Sequence, residues 1–287
     1  MNNNLKKEWL IKLLVYFLFV FIVAVSAKVD WAAEHSVMGP LFRYFWLILL
    51  ISLGIILPLV FMYLAGFKER LKEEDKEKDK LWFILALVLF AIGNGIPVIF
   101  YVVLGQPPGF FLFLQLALFG LVPAFIIKPE KLKMKILVLV LLFLVVLVPL
   151  GIFVDLTMSE LWAIPSMDKT MYYLSFWGLF SVFLYLLIAI GWKFGGGSRR
   201  GSWNIYIAGM LVHYSTIEDF FYYLLNGQTL PGKWPWLRNF VINLEALFGH
   251  VPTDFDLLIF CLVLNAIALF LLFDVHGYLW KQLRQRI

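Results

Sequence analysis

Eight stretches of the chain are almost uninterrupted in apolar side chains: Leu10–Ala27, Tyr44–Gly66, Leu81–Leu104, Phe110–Ile127, Ile136–Val154, Tyr172–Trp192, Trp203–Leu225 and Asp256–Phe273. Each is close to the roughly 20 residues that carry a helix across the hydrocarbon core of a bilayer. None alternates apolar and polar positions as a barrel strand would. A bilayer has no water to satisfy open backbone groups, so the pattern predicts helices. The expected fold is therefore all-α, a polytopic transmembrane bundle of eight spans in a single domain, residues 1–287.

The connectors supply the orientation. With the N-terminus on the cytoplasmic side, nineteen Lys and Arg residues fall on inner segments and five on outer ones. That asymmetry predicts cytoplasmic placement of both termini. Lys6 and Lys7, the apolar run and Val25-Ser26-Ala27 also resemble a cleavable signal peptide. Cleavage would leave seven spans in the same orientation.

Composition agrees. The chain is 62% hydrophobic and 15% charged, with a mean hydropathy of +0.88, against about 45–50% and 25% for a soluble domain. This excludes a soluble enzyme, a disordered chain and a nucleic-acid-binding protein. The net charge of +5 is what basic inner loops produce, and the expected partners are membrane lipids, with no nucleic acid. A single cysteine, Cys261, cannot form an intrachain disulfide and reads as a small hydrophobe within its span.

Among the connectors, Lys68–Lys80 holds six basic and six acidic residues, with acids placed three positions before lysines. It reads as a cytoplasmic, solvated extension of the second span. Gly195-Gly196-Gly197-Ser198-Arg199-Arg200 reads as a flexible inner linker. Pro58, Pro97, Pro123 and Pro149 predict kinks. Gly93-Asn94-Gly95 marks either a local opening or close packing. The long outer loop, 226–255, carries apolar residues at helical spacing from Leu237 to Phe248. It predicts a short amphipathic surface helix, closed by Gly249. Thr253 and Asp256 are spaced as a capping box for the last span, which gives Asp254 and Asp256 a structural reading at a helix start.

Chemistry concentrates in the seventh segment, His213-Tyr214-Ser215-Thr216-Ile217-Glu218-Asp219-Phe220-Phe221-Tyr222-Tyr223. Ionisable side chains inside a span are a functional hypothesis by default. Read as one helix, Glu218 and Asp219 lie roughly 22–24 Å along a span of about 30 Å, in its outer third. His213, Thr216 and Asp219 then climb one face, with Ser215 and Tyr222 flanking Asp219 and Tyr223 continuing the climb. The candidate catalytic residues are Asp219 and Glu218, supported by His213 and by His250, which either folds back over the outer mouth or stands exposed after the surface helix. Ser215, Thr216, Tyr222 and Tyr223 are candidate contacts to a small apolar ligand.

Four uses of these groups stay open: a satisfied hydrogen-bond network, acid–base chemistry on a lipid or isoprenoid, a proton relay in a transporter, and a metal site. No metal is assigned, because no ligand spacing such as HExxH occurs, and the sequence names no cofactor. For transport, Asn94, Gln115 and Asn265 are the other polar candidates.

Thr216-Ile217-Glu218-Asp219-Phe220-Phe221-Tyr222-Tyr223 resembles the acidic-pair signature of the membrane carotenoid (lycopene) cyclases, in which a proline, any residue and two glutamates precede aromatic residues within a span. The resemblance covers these eight residues. Thr216 stands where the family has proline, Asp219 stands where it has the second glutamate, and no second copy of the signature occurs. It implies that Glu218 matches the first acid and Asp219 the second, with the pair protonating a polyene.

Overall fold

The computed structural model describes residues 3–35, 40–66, 76–97, 99, 103–104, 111–154, 178–238 and 243–284. Among these residues the chain is helical, without strands apart from one isolated antiparallel bridge between Lys233 and Thr253. In order the helices are α1 Asn3–Glu34, α2 Pro40–Ile51, α3 Leu57–Ala65, α4 Lys76–Pro97, α5 Phe111–Phe119, α6 Leu121–Phe125, α7 Leu132–Leu142, α8 Ser181–Phe194, α9 Arg199–His213, α10 Ile217–Leu224, α11 Leu244–Phe248, α12 Asp254–Leu272 and α13 Val275–Arg284.

Four helical runs are long and apolar enough to cross a membrane: Glu8–Ala32, Trp46–Ala65, Leu132–Val154 and Asp254–Leu272. Three shorter apolar helices accompany them, Lys80–Gly93, Phe113–Phe125 and Gly178–Phe194. Large apolar side chains stand exposed along α4 (Leu81, Ile84, Leu85, Leu87, Val88) and α7 (Leu132, Ile136, Leu137, Leu141). Helices apolar on every side suit a lipid environment. The chain is thus a helical membrane protein.

Two helices run on through π-helical turns, Ser52–Ile56 before Pro58 and Phe143–Leu147 before Pro149. Proline lacks an N–H and its ring crowds the carbonyl four residues back. Those carbonyls belong to Gly54 and Val145, inside the widened turns, so the strain is absorbed locally. At the third expected irregularity α4 stays helical through to Pro97. Gly93 there is buried in close packing against Phe119 and Leu118, while Gly95 has open space beside it.

The centre of the bundle is α8 and α9. Nearly every residue of α8 is buried, and it packs most extensively against α3. Gly191 and Gly195, four apart, lie under the backbone of Pro58 and Met62, and a side chain at either glycine would run into those carbonyls. Small residues at this spacing bring helix backbones together where lipid removes the hydrophobic drive to associate.

The expected flexible linker at Gly195-Gly196-Gly197 is instead a tight turn. Gly196 N–H donates to Lys193 O and Gly197 N–H to Trp192 O, both at 3.1 Å. Gly196 has φ +106° and Gly197 lies against the Trp192 ring. Ser198 then caps α9, its hydroxyl accepting from Gly201 N–H at 3.0 Å. The glycines serve packing and a left-handed turn.

Two of the expected connector elements fall partly outside the described residues. The charged extension at 68–80 is described only from Lys76, where α4 begins. The surface helix expected over Leu237–Phe248 is two short pieces, a 3₁₀ turn Pro235–Leu237 and α11, separated by residues outside the described set. Gly249 does end α11 in the left-handed conformation, its N–H donating to Glu245 O at 2.8 Å. The capping box at α12 is complete: Thr253 N–H donates to Asp256 Oδ2 at 2.8 Å, and Asp256 N–H donates to Thr253 Oγ1 at 3.4 Å.

Candidate functional site

The segment expected as one helix, Trp203–Leu225, is two. α9 ends at His213 and α10 starts at Ile217. Between them Ser215 directs both its N–H (3.3 Å) and its hydroxyl (2.7 Å) to Val212 O. Thr216 stands in the left-handed region, φ 64° and ψ 3°, and its hydroxyl donates to Ser215 O at 2.5 Å. Serine and threonine side chains offer the backbone partners that compete with helix. A β-branched residue at positive φ is held there only when its surroundings fix it. The helical-wheel relation that placed His213, Thr216 and Asp219 on one face therefore does not hold across the break.

A chain of hydrogen bonds fixes the break from outside. Tyr16 Oη donates to Asn265 Oδ1 at 2.9 Å, and Asn265 Nδ2 donates to Ser215 Oγ at 2.9 Å and to Cys261 O at 2.8 Å. Three elements, α1, α12 and the α9–α10 junction, meet in it. Asn265 and Ser215 are buried, so satisfying their polar atoms fixes how the helices register. Ser215 is thus a structural residue of the junction, and Cys261 is a buried packing residue of the same network.

His213 is buried, with Tyr185 and Tyr214 edge-on at 5.6 Å each. It lines a small cavity of about 10 Å³ with Ser26 and Ser181. Glu218 is also buried, on α10, which packs against α1.

Asp219 is different. It is only partly covered, and its carboxylate meets the Trp236 indole N–H at 3.5 Å, the outer limit of a hydrogen bond. Around it the rings form a continuous wall. Tyr223 lies 5.3 Å edge-on to Trp234 and 6.5 Å stacked with Trp236, Trp234 is 5.3 Å from Trp236, and Tyr222 is 5.2 Å from Tyr223. The wall continues through Tyr222 to His35, which stacks on Trp31 at 4.4 Å.

The segment that follows α10 is pinned to this wall. Trp234 is fully buried, its N–H donating to Pro252 O at 2.9 Å and its indole N–H to Asp254 Oδ1 at 2.5 Å. Lys28 reaches the end of α10, donating to Leu225 O at 3.4 Å and to the Asn226 side chain. A cation at a helix C-terminus is favourably placed. His250 stands exposed, its Nδ1 2.9 Å from Val251 O and 3.7 Å from Asp256 Oδ2. It does not fold over Glu218 or Asp219.

The sequence singled out Glu218, Asp219, Tyr222 and Tyr223, and the structure places all four on α10. It did not single out Trp236 as the neighbour of Asp219, nor Asn265 as the partner of Ser215. Both are contacts between distant segments that no local spacing signals. Among the described residues no group of three or more His, Cys, Asp and Glu side chains converges as metal ligands do. Comparison of the chain with models of known protein families, with curated proteins and with solved structures gives no match.

Proposed function

We propose that this chain is an eight-span membrane protein with both ends cytoplasmic, and that α10 carries an acid–base site acting on an apolar lipid or isoprenoid. The observation that carries the reading is the place of Asp219: a half-buried carboxyl group beside the Tyr223–Trp234–Trp236 rings, 3.5 Å from the Trp236 indole N–H. Asp254 and Asp256, by contrast, are taken up in structure.

The chemistry follows from the neighbours. A carboxyl group at Asp219 donates its proton to a carbon–carbon double bond of a substrate lying against Tyr223 and Trp236. The faces of these rings stabilise the developing positive charge. Loss of a proton from the adjacent carbon back to the carboxylate completes a double-bond shift with no change in mass. Glu218 is the second carboxyl group and His213 a buried supporting group. Thr216, Tyr222 and Tyr223 are the neighbouring side chains that contact the substrate. This assignment agrees with the local resemblance to the lycopene cyclases.

The test is solvent deuterium. Purified protein is incubated with a membrane lipid extract in heavy water, and the lipids are read by mass spectrometry. Deuterium on carbon that disappears in Asp219→Asn and persists in Asp254→Asn supports the site. Undiminished incorporation in Asp219→Asn removes it.

The interrupted α9–α10 helix favours one second reading, proton-coupled transport, because broken helices build binding sites in transporters. Proton flux in proteoliposomes that requires Asp219, without lipid deuteration, would select it.

A further inference from the structure

The helix α13 follows α12 after a two-residue turn, Phe273-Asp274. α12 has 19 residues, about 28 Å of rise, which matches the hydrocarbon core of a bilayer. Asp274 ends it with φ 52°, a left-handed step that stops the helix. Asp274 O then accepts from Tyr278 N–H at 3.1 Å, so the same residue opens α13. If α12 spans, α13 begins at the membrane surface.

One side of α13 is held by the bundle. Gly277 is buried, with the Arg200 guanidinium and the Asp274 carboxylate over it. Arg200 and Asp274 are 3.8 Å apart. The other side is apolar and open: Leu279, Trp280 and Leu283 are each about half exposed or more. Their positions fall within one arc of the helix, and Leu279 and Leu283 are a turn apart. Within the sequence that follows Asp274, Lys281, Arg284 and Arg286 are the charged residues and none is acidic.

We infer that α13 is an interfacial helix that seats Leu279, Trp280 and Leu283 in the acyl boundary of the adjacent leaflet, and that the basic sequence from Lys281 onward selects anionic lipid headgroups. An exposed apolar arc on a short helix next to a span is what lies in that boundary, and basic sequence next to a span gathers anionic lipid. The inference rests on Asp254–Leu272 being a span and is independent of the chemistry at Asp219.

The lone cysteine makes the test direct. In a Cys261→Ala background of the full chain, spin labels are placed by Leu279→Cys, Leu283→Cys and Lys281→Cys, with Leu262→Cys on α12 as a reference. The protein is held in nanodiscs of phosphatidylcholine with or without phosphatidylglycerol. Oxygen collisions should exceed those of a water-soluble nickel chelate at 279 and 283 by at least threefold, with the reverse at 281. Native mass spectrometry should show retained phosphatidylglycerol exceeding its share of the disc, an excess lost in Lys281→Gln/Arg284→Gln/Arg286→Gln.

Equal nickel access at all three α13 positions would place the helix in water and overturn the inference. Low access to both reagents with spin–spin broadening would show a second copy covering the face, and would also overturn it. Retention without preference for phosphatidylglycerol would remove the anionic selectivity. Nickel access at 262 would overturn the span itself, a separate failure.

Discussion

Helices α10 and α12 start with the same sequence feature, a hydroxyl residue followed by two acids in the first turn: Thr216 with Glu218 and Asp219, Thr253 with Asp254 and Asp256. Acids at this position are favoured by the helix dipole, so sequence alone treats the two starts alike. The structure separates them. Thr253 is extended and exchanges hydrogen bonds with Asp256, while Asp254 accepts from Trp234. Thr216 is left-handed and makes no side-chain cap to its helix, and the Asp219 carboxylate reaches the Trp236 indole at 3.5 Å instead of closing a box with Thr216. A motif completed by its partners is structure. The same motif left incomplete beside an aromatic wall is where chemistry can be sought.

The largest test of this contrast exchanges the roles of the two starts. Asp219→Asn is expected to lower lipid deuteration at least 100-fold, about 2.7 kcal/mol in barrier, while the melting temperature in detergent stays within about 2 °C. Asp254→Asn is expected to do the opposite, losing about 1–2 kcal/mol of stability as the Trp234 indole loses a charged acceptor, with deuteration within about twofold of wild type. Equal behaviour of the two variants would erase the distinction.

Asn265→Leu removes the link from α1 and α12 to the α9–α10 junction, leaving Tyr16 and Ser215 to find other partners. A loss of about 1–2 kcal/mol is expected in reversible unfolding in mixed micelles, near the upper range for hydrogen bonds between membrane helices. Next in size is the pair of hydroxyls. Thr253→Ala should cost about 1 kcal/mol. Thr216→Asn should stabilise by about 0.5 kcal/mol, because Asn tolerates the left-handed region better than a β-branched residue. A loss of stability in both would mean that the Thr216 hydroxyl's bonds to Ser215 O and Leu257 O outweigh the relief of backbone strain. The smallest effect belongs to His250→Ala, under about 0.5 kcal/mol, since its ring is exposed and its contact with Asp256 Oδ2 is long, 3.7 Å.

Much of the fold was legible because it depends on local pattern. The capping box at Thr253 and the left-handed Gly249 are set by residues three or four apart, and the apolar runs are set by composition. The break at Ser215-Thr216 was not legible, because a helical wheel assumes the helix it draws, and hydroxyl residues shift that balance only slightly. Asn265 and Trp236 meet their partners across the fold, where spacing carries no information. Gly191 and Gly195 did carry a readable signal, small residues four apart in an apolar run. It was hidden because Gly195 also begins a glycine triplet that resembles a linker. At the site, the residue types were readable, and which acids were already engaged was not.

The contact of Gly191 and Gly195 with the α3 backbone bears on biogenesis. α3 is synthesised long before α8, and its carbonyl-lined groove faces lipid or the insertion machinery until α8 arrives. Closing that contact is therefore a late, non-local step. A nascent chain stalled before Gly191 should be recognised as incomplete by membrane quality control, and substituting either glycine should produce a protein that inserts correctly and is then degraded.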